Sequence, residues 1–200
     1  MAKQLLAGIT GGIGSGKSTI AKILASYGFP VYDSDLQAKL LMENNKTIAK
    51  DLIETFGSEV FTNGKLNKQF LSNQIFLSPS KMKKVNSIVH YAVIEDFKDW
   101  AKTQNSKIVF LESAIIFENN LEKFFDKIIS VVSPKKLRIK RIKERSNLST
   151  KEIESRIKSQ ISDRKLKQRA DFIIKNNDRS AIIPQIETIL EQLIDNSKQN

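Results

Sequence analysis

No cysteine occurs among the 200 residues, which excludes disulfides and thiolate metal sites. No apolar run approaches the ~20 residues that a membrane helix needs. The start, Met-Ala-Lys-Gln, leads directly into a strand and lacks the apolar core of a signal peptide. A soluble, cytoplasmic protein is therefore expected. Aromatic residues are missing from the one strongly basic stretch, residues 135–169, so that stretch offers no stacking platform for single-stranded nucleic acid. Histidine occurs once, as His90 on a mostly apolar helical stretch, where a core or surface role is the default reading. With 40% hydrophobic residues the chain can build one domain, with room for an inserted subdomain.

What is present is a phosphate cradle. Gly11-Gly12-Ile13-Gly14-Ser15-Gly16-Lys17-Ser18-Thr19 fits the P-loop pattern of a glycine, four residues, then glycine, lysine and serine or threonine. Leu5 to Ile9 before it reads as a buried strand, and residues 18–27 after it place Ile20, Ile23, Leu24 and Tyr27 at helical spacing. Glycines let backbone N–H groups turn inward around phosphate oxygens, and the helix N-terminus adds about half a positive charge. Lys17 would reach the β- and γ-phosphates, and the Ser18 hydroxyl would ligate Mg²⁺. The chain is expected to bind a nucleoside triphosphate.

Gly28 ends the first helix, and Phe29 to Tyr32 reads as a second strand that delivers Asp33-Ser34-Asp35. A ten-residue helix travels about 15 Å away, and a strand of four or five residues returns about 13–17 Å. Asp33 should thus emerge at the phosphate edge of the sheet. A carboxylate there suits a hydroxyl acceptor, whose proton a general base must take. The alternative is a helix cap near Leu36. The base role is preferred for Asp33 and the cap for Asp35.

Residues 36–56 read as helix, with Leu40, Leu41, Ile48, Leu52, Ile53 and Phe56 as its buried side and a potential break at Asn44-Asn45. Thr62-Asn63-Gly64 is a turn. From Asn67 to Gln104 the pattern is helical apart from Ser78-Pro79-Ser80, with Val85, Ile88, Val89, Ala92, Val93, Phe97 and Trp100 in period. So much helix between strands reads as an inserted subdomain. Ile108 to Leu111 is a third strand ending in Glu112, a position suited to an acidic residue near Mg²⁺. Lys127 to Val132 and Asp171 to Ile174 follow as strands four and five, and a last helix spans roughly 181–195. Alternating strands and helices imply an α/β fold with a parallel sheet.

The charge is concentrated. Residues 135–169 carry fourteen Lys and Arg against four Asp and Glu, a net +10 of the chain's +11. Leu137 to Arg145 is helical, and Ser149-Thr150-Lys151-Glu152 is a capping-box signature for a second helix, on which Arg156 and Gln160 share a face. Two basic helices between strands four and five read as a lid that brings a guanidinium to the transferring phosphoryl group and excludes water.

Taken together, these segments resemble the dephospho-coenzyme A kinase family across nearly the whole chain. The resemblance rests on Gly8 to Thr19, Asp33-Ser34-Asp35, the spacing of Arg141, Arg145, Arg156 and Gln160, and Ala170-Asp171-Phe172-Ile173-Ile174 followed by Asn176. It implies a P-loop kinase fold with a five-stranded parallel sheet flanked by helices. The core would cover about 1–60, 105–134 and 170–200, a helical acceptor insert about 61–104 and a basic lid about 135–169. It implies ATP-dependent phosphorylation of the ribose 3′-hydroxyl of dephospho-CoA, with Mg²⁺, by a monomer that uses neither nucleic acid nor membrane. Catalytic roles fall to Asp33, Lys17 and Arg145. ATP contacts fall to Gly12, Gly14, Ser15, Gly16, Lys17, Ser18, Thr19, Arg141 and Asn176, the last near adenine. Acceptor contacts fall to Asp33, His90, Phe117 and Glu118, and metal contacts to Ser18 and Glu112. Three positions depart from the family pattern: Tyr91 replaces a proline, Glu112-Ser-Ala-Ile-Ile-Phe-Glu118 varies an Asp-x-Pro-Leu-Leu-Phe-Glu segment, and Asp178 stands where a glycine is usual.

Rival classes fit less well. A guanine-reading Asn-Lys-x-Asp motif is missing, since Asn45-Lys46 and Asn67-Lys68 are followed two residues on by Ile48 and Phe70. A nucleic-acid-dependent ATPase would account for the basic block, and another P-loop nucleoside or nucleotide kinase is the nearest alternative.

Overall fold

The fold is that of a computed structural model, which describes residues 3–76 and 78–199. Met1 and Ala2 of the opening segment, Leu77 within the predicted helical stretch, and Asn200 lie outside the described residues. The chain divides into two compact units: the described residues up to Tyr32 together with those from Gln104 onward, and Asp33–Thr103.

The first unit is built on β1 (Leu5–Thr10), buried at five of its six positions. Near-continuous apolar strands of this kind are what a parallel sheet covered on both faces requires. β1 pairs in parallel with β5 (Ile108–Glu112) on one side, Leu5 opposite Ile108 and Ile9 opposite Glu112. On its other side it pairs with β6 (Lys127–Val132), which in turn pairs with β7 (Phe172–Lys175). With β2 (Val31–Asp33) at the far edge, the sheet order is β2-β5-β1-β6-β7. This is the five-stranded parallel α/β sheet expected from the sequence.

Helix α1 (Lys17–Ser26) lays Ile20, Ala21 and Leu24 onto the sheet. From the other end of the sequence α9 (Ile183–Gln199) contributes Ile186, Ile189, Leu190 and Leu193. Fully burying an aliphatic side chain of this size contributes about 1.5–3 kcal/mol. Tyr27, expected on the buried face of α1, is instead exposed, because it falls past the last helical residue and turns its hydroxyl to Glu187 at 3.2 Å. Ile182 precedes α9 and is partly buried against the same core.

Residues 135–169 fold as three helices rather than two. They are α6 (Lys135–Arg145), α7 (Thr150–Lys158) and α8 (Asp163–Arg169). The capping box at the start of α7 forms as read from the sequence: Ser149 accepts from the Glu152 N–H, and Glu152 accepts from the Ser149 N–H at 2.8 Å. The third helix starts because Ser162 caps it through the Lys165 N–H.

The second unit contains α2 (Ser34–Asn44), α3 (Lys46–Phe56), the hairpin β3 (Phe61–Thr62) and β4 (Lys65–Leu66), α4 (Lys68–Phe76) and α5 (Pro79–Thr103). The helical stretch expected over 36–56 breaks at Asn45, within the Asn44-Asn45 pair where the sequence offered a break. That residue leaves the helical region and accepts from the Thr47 and Ile48 N–H groups, so it starts α3. Ile48 and Leu52 are buried, whereas Leu40 and Ile53, also expected inside, are exposed. Asn63 and Gly64 take positive φ in the hairpin turn, the conformation that an Asn-Gly pair favours. Val85, Val89, Val93, Ile94, Phe97 and Ala101 form the buried stripe of α5, and Trp100 stacks on Phe97 at 6.1 Å.

Candidate active site

The P-loop lies between β1 and α1. Gly16 is the residue preceding α1, with φ 95°, and no side chain caps the helix start. A helix whose first turn lacks a side-chain cap presents N–H donors to an anion. Gly16 is glycine for two reasons: its left-handed φ, and a close approach, since a Cβ there would overlap the Asn176 amide nitrogen. Lys17 is largely buried, and its Nζ folds back to the Gly12 carbonyl at 3.4 Å, within the mouth of the loop. Ser15 is buried too, its hydroxyl oxygen without a protein partner. The cradle thus has the donors that a polyphosphate requires.

Ser18, on the first turn of α1, donates to Glu112 Oε1 at 2.8 Å. Glu112 closes β5, whose register against β1 brings it opposite Ile9, just before the P-loop. One hydroxyl and one carboxylate give a sparse set of hard oxygen donors. Among the described residues no cluster of three or more His, Cys, Asp or Glu side chains could hold a metal. Such a set suits Mg²⁺, which keeps its waters and relies on substrate phosphates to complete its octahedron.

On the opposite flank Arg141 of α6 organises a polar cluster. Its Nη2 donates to Asn176 Oδ1 at 2.9 Å and to Asp178 Oδ1 at 2.6 Å, and its Nη1 reaches Ser133 Oγ at 3.3 Å and the Ser15 carbonyl at 3.4 Å. Asn176, one residue beyond β7, donates its own amide to the Ser15 carbonyl at 2.9 Å. Arg141, Arg145, Asn176, Gly14, Gly16, Thr19 and Ile182 line a cavity of about 240 Å³. Gly12, Gly14, Ser15, Gly16, Lys17, Ser18, Thr19, Arg141 and Asn176 therefore assemble in one unit, as does Arg145 at the end of α6.

The remaining expected residues make contacts of their own. Phe117 is buried, with the Arg169 guanidinium 4.5 Å over its ring, so its side chain is occupied in packing. Glu118 accepts from the Ile161 N–H at 3.0 Å, joining the loop after β5 to the segment between α7 and α8. His90 lies half-buried on α5, and Tyr91 beside it is exposed. Asp33 ends β2 and is the cap of α2: its Oδ1 accepts from the Asp35 and Leu36 N–H groups, both at 3.0 Å. This corrects the assignment of the cap to Asp35, which lies within the first turn. Asp33 has the extended backbone of a cap residue, while Asp35 is already helical. Both capping bonds use Oδ1.

Sequence reasoning passed over Arg138. It is 4% exposed and donates to the Ile13 carbonyl at 2.8 Å and to Asp163 at 3.2 Å. The available signal was its position four residues before Ile142, which puts it on the buried face of α6.

Known proteins point the same way. A family model described as dephospho-CoA kinase matches residues 5–181. A Bacteroides fragilis protein named dephospho-CoA kinase is 41% identical over 180 residues, covering 90% of this chain and 88% of its own. Among solved structures, a Thermus thermophilus protein superposes with TM-score 0.80 at 29% identity, covering 97% of this chain and 98% of its own. Dephospho-CoA kinase from Campylobacter jejuni gives TM-score 0.65 at 25% identity, with 98% of both chains covered.

Proposed function

The chain belongs to the dephospho-CoA kinase family, and we propose on that premise that it transfers the γ-phosphoryl group of ATP to the ribose 3′-hydroxyl of dephospho-CoA, the last step of coenzyme A synthesis. The observation that carries this reading is the side-chain-free start of α1, flanked by Lys17 on the loop and by the Ser18–Glu112 pair. In the transfer, the acceptor oxygen forms a bond to phosphorus while the bond from phosphorus to the β–γ bridging oxygen breaks, and ADP leaves. Lys17 neutralises charge on the β- and γ-phosphates, and the P-loop N–H groups hold them in place. Mg²⁺, held by Ser18 and Glu112, would supply further charge neutralisation at the phosphates. Arg145 adds a guanidinium from the end of α6, and Arg141 with Asn176 borders the nucleoside cavity.

Asp33 takes the proton of the acceptor hydroxyl. Its place at the carboxyl end of β2 supports this, as does the use of Oδ1 alone for capping, which leaves Oδ2 outside those two bonds. His90 and Glu118 serve on the acceptor side. In this reading residues about 61–104 form the acceptor insert and about 135–169 the lid of a monomeric cytoplasmic enzyme that needs no nucleic acid. No helix among the described residues is long and apolar enough to cross a membrane. The test is ADP release with ATP and a panel of dephospho-CoA, nucleosides and nucleoside monophosphates. Dephospho-CoA should give the highest kcat/KM. A nucleoside or nucleotide that outperforms it would move the chain to a different kinase specificity.

A further inference from the structure

The tip of the P-loop is gripped by side chains that none of these roles employs. Both polar groups of the Ile13 backbone are taken from outside the loop. Its N–H donates to Gln160 Oε1 at 2.7 Å, and its carbonyl accepts from Arg138 Nε at 2.8 Å. The same guanidinium reaches Asp163 Oδ1 at 3.2 Å and Gln160 Oε1 at 3.4 Å. We propose that Arg138, Gln160 and Asp163 form a clasp that sets the Ile13 turn of the P-loop in the shape that receives the triphosphate, with Arg138 as its positioning residue.

Three observations carry this. First, a guanidinium is costly to bury, and Arg138 is buried with a single carboxylate beside it. Burial pushes it below its ordinary pKa, opposed by Asp163. Its planar fork is matched to several acceptors at once, which is what an arginine does that a lysine cannot. Second, the P-loop pattern leaves position 12 open to any residue, yet this chain has glycine there. A Cβ at Gly12 would meet Arg138 Cζ at 2.5 Å and Nη1 at 2.9 Å, and all three of its nearest atoms belong to that guanidinium. No positive φ adds to this, so the steric demand at position 12 is Arg138 itself. Third, the other end of the clasp is anchored. Gln160 and Asp163 flank the Ser162 cap of α8, and Ile161 between them is fixed to Glu118. Gln160 holds the Gly12–Ile13 peptide and Arg138 holds the Ile13–Gly14 peptide, so turning either one would break its bond to the clasp. Arg138 therefore acts through the loop and not on the substrate.

The inference rests on the kinase reading, and the experiment separates the two. Binding of a fluorescent ribose-modified ATP to the full chain is measured without acceptor, alongside steady-state KM for dephospho-CoA. Arg138→Ala and Gln160→Met should each weaken nucleotide binding about 10–100-fold, as loss of hydrogen bonds to a charged group implies. KM for dephospho-CoA should stay within about twofold. Arg138→Lys should recover only part of the loss. Gly12→Ala should weaken nucleotide binding by itself and add less than about twofold on the Arg138→Ala background, a non-additivity that marks a shared contact. Arg138→Ala and Gln160→Met proteins that fold and bind the nucleotide within about twofold of wild type would overturn the clasp, as would independent effects of Gly12→Ala and Arg138→Ala. If Arg138→Ala does not fold, Gln160→Met, at a half-buried position, decides alone. A wild type that binds no ATP would instead overturn the kinase reading.

Discussion

Asp33 is asked to do two things, and substitution can pull them apart. As a cap its Oδ1 takes two N–H bonds at the start of α2. Asparagine keeps an oxygen in that place and caps about as well as aspartate, so Asp33→Asn should lose only the charge–dipole part, about 0.3–1 kcal/mol. Alanine removes the acceptor and should cost about 0.5–2 kcal/mol, a Tm drop of about 1–8 °C for a chain of this size. In the proposed base role the same residue would contribute through proton acceptance, which neither substitute performs. Both variants should lose about 10²–10⁴-fold in kcat, or about 3–5 kcal/mol of transition-state stabilisation. Activity should therefore fall equally in the two variants while stability falls chiefly in Asp33→Ala. Asp35→Asn should change little in either measurement. ADP release at saturating substrates and a calorimetric melt of each variant suffice. Turnover by Asp33→Asn within a few-fold of wild type would refute base catalysis from this segment, and an unchanged Tm for Asp33→Ala would refute the energetic weight given to the cap.

Arg145→Ala should lower kcat more than it raises KM for either substrate, because a charge delivered to the transferring group is felt mainly in the transition state; an effect confined to KM would count against that role. Glu112→Gln should raise the Mg²⁺ concentration needed for half-maximal activity, since Ser18 would face an amide in place of a carboxylate; a magnesium titration reads this directly, and an unchanged midpoint would remove Glu112 from the metal site. Hydrogen bonds from the Ser149 side chain and N–H hold the Glu152 carboxyl below its ordinary value of 4.5. A depressed folded value means that its stabilisation is present above 4.5 and is lost as pH falls through the lowered one. Glu152→Gln should thus flatten the acid-side decline in Tm, and identical pH profiles for mutant and wild type would contradict the capping box as a source of acid sensitivity.

The parts that could be read from the sequence share one property: their signal is local. The P-loop spacing, the apolar runs of β1, β5 and β6, and the Ser149–Glu152 capping box are each complete within a few residues, and each stands where expected. What escaped was decided by partners distant in sequence. Leu40 and Ile53 have helical spacing, but which arc of a helix is covered depends on neighbours that periodicity does not name. Arg138 was one basic residue among fourteen, and its burial depends on a loop 125 positions earlier in the chain. At the candidate site the same division holds. Pattern and strand ends are enough to nominate Lys17, Ser18 and Glu112, which lie beside the loop, while the grip on Ile13 required the folded chain.

The start of α1 has a consequence for the enzyme's stability in the cell. Most helices carry their own cap, and this one does not: Gly16 supplies no side-chain acceptor, so the helix that braces the centre of the sheet begins unfinished. A bound triphosphate would complete it, acting as a piece of secondary structure supplied from solution. Ligand at 100 times its Kd adds about 2.7 kcal/mol by mass action alone. A cell poor in nucleotide would then hold not only a slower enzyme but a more fragile one, and its abundance would follow energy status through proteolysis without any dedicated sensor.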